Sequence, residues 1–258
     1  MLDDAQYETY KTYEYFAGQV GPGNDTEFEA GKDMGAYYKE QGVSKVAIYG
    51  AFIPNPMHVY RVAGVLSGLG LSYGGATTEE DVVGLIFADQ GIDLSKISGD
   101  IKIVSYLQGY GDTTTDEINA AIQAAPEAFI SVGMATTFFT QQLNAAGIEF
   151  SDIDSFTKSN GEAITNGKLV YLAGKYSSSV GPAFALVMNA INGNVIRDAQ
   201  GNAVSLSQNY QVATDSETFD KFYKNDNGDN PIYSRDTLDQ IIGDTVTFDT
   251  INEVVASN

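Results

Sequence analysis

A chain of 258 residues is long enough to bury a sizeable core and to form one large domain or two lobes. Its 14 Lys and Arg stand against 34 Asp and Glu, a net charge of −20 with no basic run, which argues against nucleic acid or any other polyanion as partner. Cysteine is absent, so disulfides and thiolate metal sites are excluded, and no apolar stretch reaches the length of a membrane span. The opening residues, Met1-Leu2-Asp3-Asp4, are acidic and lack a basic-then-apolar export pattern, so for an exported form the signal is expected to have been cut off or to lie upstream.

The chain repeats one unit: a short β-rich run, a turn, then a capped helix. Thr26-Glu27-Phe28-Glu29 reads as a capping box opening a helix that Gly42 closes. Val46 to Tyr49 is the first clear strand, ending at Gly50. Asn55 and Pro56 read as N-cap and first helical residue, with Val59, Val62, Ala63, Leu66 and Leu69 at helical spacing behind them. Between Leu71 and Gly99 the pattern is irregular around one helix near Glu79 to Ala88. Ile101 to Tyr106 is the second strand. Thr114 and Glu117 make another capping box, with Ile118, Ala121, Ile122 and Ala125 following. Ala128 to Val132 is the third strand, and Thr136 to Ala146 a helix closed by Gly147. A weaker strand lies near Phe150 to Asp154 and a fifth at Leu169 to Leu172, before a helix from Ser177 to Ile191. Beyond Gly193 the pattern loosens; Asn225 to Pro231 is a loop, and short helices are expected near Arg235 to Ile242 and Asp249 to Ala256. Apolar runs alternating with helices predict an α/β fold, a parallel sheet covered on both faces in three layers.

Several segments together resemble the type I periplasmic sugar-binding proteins, the solute-binding proteins of ABC importers. Lys45-Val-Ala-Ile-Tyr-Gly50, with Arg61-Val-Ala-Gly64 on the next helix, resembles the start of their C-terminal lobe. Asp154-Ser155-Phe156 followed by Asn166-Gly-Lys-Leu169 resembles their aspartate loop and next strand. Tyr176 to Leu186 resembles the crossover helix to the N-terminal lobe, and Ala190-Ile-Asn-Gly193 its end. The resemblance runs from Phe16 to Asn225 and rests on order and spacing. It implies a nearly complete C-terminal lobe and an N-terminal lobe that is largely missing. Residues 1–42 are then a remnant of the N-terminal lobe and first crossover, 43–174 the C-terminal lobe, 175–202 the crossover helix, and 203–258 a return segment and tail packing on the C-terminal lobe.

In open parallel sheets ligands sit outside the carboxyl ends of the strands. That rule selects Phe52, Asn55, His58 and Arg61 after the first strand, Gln108 and Tyr110 after the second, Gly133 and Met134 after the third, Asp154 after the fourth and Lys175 after the fifth. A sugar needs planar polar groups for its hydroxyls and an aromatic face for its C–H side; Asp154 and Arg61 can supply the first, Tyr110 or Phe52 the second. By resemblance Asp154 matches the family's ligand-binding aspartate, Tyr110 falls near its stacking aromatic and Lys175 near a polar ligand residue. Many sugar binders carry a polar residue at about Val132, where this chain is apolar. The plainer readings are that Asp154 caps the turn before Thr157, that Arg61 braces its helix against the sheet, and that His58, the single histidine, is a surface or helix-terminal residue and no catalyst. Gly68-x-Gly70 follows a helix and is no dinucleotide loop; Asn225 to Asn230 lacks the closing acid of a calcium loop. No metal or other cofactor is expected.

The resemblance implies a solute-binding component of an ABC importer, closing two lobes on a sugar by a hinge and then docking on a permease. It also implies a place in the cell envelope, in the periplasm or lipid-anchored outside the membrane. The alternatives are the effector domain of a transcriptional repressor, which would want a basic helix-turn-helix, and a carbohydrate-active enzyme, which would want two facing carboxylates. One apolar stripe, Val180, Phe184, Val187, Met188 and Ile191, lacks a matching sheet. It is expected to drive self-association, or to be covered by the aromatic first forty residues (Tyr7, Tyr10, Tyr13, Tyr15, Phe16, Phe28, Tyr37 and Tyr38).

Overall fold

The computed structural model describes residue 2, residues 4–229 and residues 231–257. In chain order the elements are α1 (Asp4–Tyr10), β1 (Gly18–Gly21), α2 (Asn24–Glu40), β2 (Lys45–Tyr49), α3 (Pro56–Leu69), β3 (Ser72–Tyr73), α4 (Glu79–Asp89), β4 (Ile97–Ser98), β5 (Lys102–Leu107), α5 (Thr114–Gln123), β6 (Ala128–Ser131), α6 (Ala135–Phe138), α7 (Thr140–Ala146), β7 (Glu149–Ser155), α8 (Lys158–Thr165), β8 (Leu169–Lys175), α9 (Gly181–Ile191), β9 (Val204–Ser207), β10 (Gln211–Ala213), α10 (Ser216–Asn227), α11 (Arg235–Ile241) and α12 (Phe248–Ala256). They divide into two compact units. The first holds Met1–Thr26, Lys175–Tyr210 and Lys221–Asn258; the second holds Glu27–Gly174 and Gln211–Asp220.

The second unit is built on a six-stranded sheet in the order β10-β8-β7-β6-β2-β5. β2 pairs in parallel with β5 and β6, and β6 with β7, while β10 runs antiparallel to β8. All of β6, most of β2 and residues 150–153 of β7 are buried on both faces, so helices must cover the sheet from both sides, as the apolar runs predict. The five expected strands are present. The sixth, β10, is only three residues long and partly exposed, which leaves no period to read. Helices α2 and α3 approach closely through glycine: a Cβ at Gly64 would collide with the Phe28 carbonyl, and one at Gly31 with that of Arg61.

Three helix boundaries differ from the expected ones. Helix α2 begins at Asn24, so Thr26 lies within it. Thr114 is the first residue of α5, its hydroxyl accepting from Gly111 N, while Thr113 donates to Glu117. The stretch 136–146 is two helices, because Phe139 leaves helical geometry at φ −126° to turn its ring into the core. α10 was not expected at all; its sequence is mostly polar and charged, and it runs into the predicted loop, whose Asn230 lies outside the described residues. Asp226 there accepts from the amides of Ser177 (2.7 Å) and Ser178 (2.8 Å), anchoring the turn ahead of α9.

The first unit has a two-stranded parallel sheet, β1 with β9, in register from Gly18↔Val204 to Gly21↔Ser207. Ala185 and Leu186 of α9 pack with Ile196, Val204, Leu206, Ile241, Val246, Ile251 and Val255. The tail from Lys221, expected on the C-terminal lobe, therefore packs here, because α11 and α12 bring an apolar face that completes this cluster. Buried Asn189 ties the layers, donating to Ile241 O and accepting from Gly243 N, both at 2.8 Å. The opposite face of α9 stays open: Val180, Phe184, Val187 and Ile191 each keep half or more of their surface in solvent. The N-terminal aromatics do not cover it. Tyr10, Tyr13 and Tyr15 are themselves exposed, and Phe28 and Tyr38 are buried in the second unit.

Candidate ligand-binding site

Because β2, β5, β6 and β7 are parallel, their carboxyl ends line one edge of the second unit. Three aromatic side chains meet there. Tyr110 stacks on Phe138 with ring centroids 4.2 Å apart and planes 22° from parallel, and Phe52 meets Phe138 edge-on at 6.4 Å. Tyr110 is 59% exposed and Phe52 39%, so both offer ring surface to solvent; exposed Met134 stands on the turn after β6, just ahead of α6. Phe139 supports the cluster from below, packed edge-on against Tyr49 at 4.8 Å.

Asp154 lies at the end of β7, half-buried, and accepts from Asn160 Nδ2 at 3.3 Å. It does not cap the following helix. Thr157 does that with its own hydroxyl, accepting from Asn160 N. The carboxylate of Asp154 thus ties the end of β7 to buried Asn160 of α8 and keeps further acceptor capacity. Asn55 is the N-cap of α3, its Oδ1 accepting from Met57 N.

Arg61 points inward. It is buried, donates from Nε to Glu27 at 2.6 Å and from Nη1 to Val132 O at 2.7 Å. Its expected ligand contact is thus corrected to bracing: a guanidinium deep in the unit is held by a carboxylate and a strand-end carbonyl. His58 is not on the surface either. It is buried in the first turn of α3, where Nδ1 accepts from Phe52 N at 3.2 Å. Burial, and then the neighbouring Arg61 charge, push its pKa down to about 4, so the ring is neutral and shapes the Phe52 loop. Lys175 belongs to the first unit, its Nζ 5.4 Å from the Tyr210 ring centroid.

Sequence reasoning missed two residues that build this edge. Phe138 read as one more helical position. Asp152 was unmarked, although an acid inside a fully buried strand is an anomaly that the sequence exposes. Its carboxylate accepts from Ser131 Oγ (3.0 Å), Thr136 N (3.0 Å) and Ile153 N (3.1 Å), and Ser131 Oγ accepts in turn from Gly133 N (3.1 Å). Burial first, and the Asp154 charge second, raise its pKa to about 7 against those three hydrogen bonds.

No family model matches the chain, and no curated protein does. Solved structures do match. The periplasmic binding protein of an arabinose ABC transporter from Shewanella sp. ANA-3, bound to L-arabinofuranose, is 17% identical with a TM-score of 0.54, over 82% of this chain and 63% of that one. An ABC transporter periplasmic solute-binding protein from Actinobacillus succinogenes with bound D-allose is 17% identical at TM-score 0.58, over 86% and 69%. A solute-binding protein from Bacillus halodurans with bound myo-inositol is 14% identical at TM-score 0.52, over 83% and 66%. At these identities the likeness establishes the fold, the α/β fold of type I periplasmic binding proteins, as the sequence segments imply. The chain spans a little under two thirds of the arabinose-binding chain it matches.

Proposed function

We propose that the chain is the solute-binding component of an ABC importer, working outside the cytoplasm on a small polyhydroxylated solute. The observation that carries this reading is the carboxyl edge of the second unit, where the exposed rings of Phe52 and Tyr110 share one edge with the free acceptor capacity of Asp154. Aromatic faces suit the C–H side of a sugar or cyclitol ring, and a carboxylate accepts from two adjacent hydroxyls. Lys175 enters the proposal by resemblance alone, and Asn55 through its remaining amide donors. Arg61 serves from behind, holding the Val132 carbonyl. The same proposal carries hinge closure of an opposing lobe over the solute and docking of the closed form on a permease.

Bond breaking has no part in it. The one histidine is buried, neutral and engaged to Phe52 N, and the Asp152 carboxyl is wholly buried and held by three donors, so neither is presented to a solute as a general base. Incubation with oligosaccharides should release no reducing ends. Calorimetry with L-arabinose, D-allose and myo-inositol tests the binding reading. Replacing Asp154 with Ala should weaken binding by about 1.5–3 kcal/mol, a loss of roughly ten- to a hundred-fold, with unfolding temperature held. Unchanged affinity removes Asp154 from the site, and no binding of any polyol overturns the reading.

A further inference from the structure

Asp152 has no role in the reading so far, yet its surroundings are specific. It is fully buried near the carboxyl end of β7, two residues before Asp154 and therefore on the same side of the strand. Its three donors come from three places: Ser131 at the end of β6, Thr136 in the first turn of α6, and Ile153 on its own strand. Between Ser131 and Thr136 lies the turn that places Met134 in the left-handed region at φ 68° and leads to Phe138 under Tyr110. One carboxylate thus fastens both ends of the turn that leads to Phe138, the ring that both others of the cluster meet.

The other ionisable groups around this turn are few. Asp154 acts on Asp152 from the same strand, and Tyr49 bears on it from β2 while donating its own hydroxyl to Gly109 O. Arg61 reaches the turn by donating to Val132 O. A Cβ at Gly133 would meet Arg61 Nη1, Ile153 O and His58 Nε2 at ordinary contact distance. No basic side chain is hydrogen-bonded to Asp152 among the described residues, so its charge is held by dipoles alone. Protonation at Oδ2 weakens the acceptor for Thr136 N and adds an O–H that needs an acceptor of its own. The Thr136 hydroxyl, buried and without a partner, offers the new O–H an acceptor on the same residue.

We propose that Asp152 is a positioning residue: its buried carboxylate latches the turn from Ser131 to Thr136, and gain or loss of its proton resets that turn and the aromatic cluster it carries. That the reset alters solute affinity rests on the proposed function; the latch itself does not. The raised pKa places the change near neutral pH, where both states are populated.

The test is a pH titration from 5 to 8.5 of the intact chain by two-dimensional NMR, without ligand. The amides of Gly133, Thr136 and Ile153 should move together through one transition near neutral pH. In Asp152→Asn the transition should vanish while the remaining spectrum stays folded. In Ser131→Ala, where one donor to the carboxylate is lost, the midpoint should rise by roughly one pH unit. Amides that do not titrate in this range, or that titrate alike in Asp152→Asn, overturn the latch. If Asp152→Asn fails to fold, the Ser131→Ala midpoint decides alone, and an unmoved midpoint overturns it. Polyol affinity measured across the same pH range then bears on the proposed function separately, because the latch can hold with no polyol bound.

Discussion

The two compact units differ in how they finish their cores. The second closes its own: Phe129, Phe139, Phe150 and Phe156 are fully buried, and its central strands are covered on both faces. The first buries one face of α9 against β9, α11 and α12 and leaves the other face apolar and open. A helix apolar all round belongs in a protein interior, and a parallel pair of strands is rarely a whole sheet. The first unit thus leaves an apolar helix face in solvent where the second leaves none on its central strands.

Paired substitutions sharpen this contrast. Phe129→Ala, in the second unit, should cost about 3–5 kcal/mol in denaturant unfolding, the loss for a large ring in a closed core. Glu27→Ala should cost a similar amount, about 3–5 kcal/mol, by withdrawing the carboxylate from a guanidinium that stays buried. Replacing Glu27 and Arg61 together by apolar residues should cost less than Glu27→Ala alone.

A pH experiment comes next in size. The pKa of Asp152 is raised in the fold to about 7, so its contribution is full below the ordinary value near 4 and is lost as pH rises through about 7. The pKa of His58 is lowered to about 4, so its contribution is present above about 6.5 and is lost as pH falls towards 4. Between pH 4.5 and 6.5 the two slopes oppose. Unfolding temperature should rise more steeply with pH in Asp152→Asn than in the parent, and less steeply in His58→Gln. Parallel curves for all three proteins would contradict both assignments. The smallest effect belongs to the open stripe: Phe184→Ala should change stability by no more than about 0.5 kcal/mol while reducing self-association by light scattering. A cost near that of Phe129→Ala would show that the stripe is covered and the contrast unreal.

The regular parts of this fold were legible because their signals are local. Asn55 and Pro56 open α3, and β2, β5, β6, β7 and β8 announce themselves as apolar runs. The stripe on α9 was readable as spacing, but whether anything covers it depends on residues elsewhere. β1 and β9 were missed because Gly18-Gln-Val-Gly21 is short and glycine-rich, and the alternation of Val204 to Ser207 sits in a loose context. The rule of strand ends selects Phe52, Tyr110 and Asp154, and the structure places them along the carboxyl edge of the second unit. It could not say that Arg61 turns inward to Glu27, since a side chain's direction is set by partners distant in sequence. Nor could it pair Tyr110 with Phe138 across two elements.

On the proposed function, the carboxyl edge of the second unit holds a polyol. The most direct measurement maps amide shifts of the intact chain titrated with D-allose, L-arabinose and myo-inositol to millimolar concentration, which also detects weak binding. At least one polyol should shift Phe52, Tyr110, Met134, Phe138 and Asp154 together and leave the α9 stripe unmoved. Shifts confined to other surfaces, or none at saturating polyol, would contradict the claim.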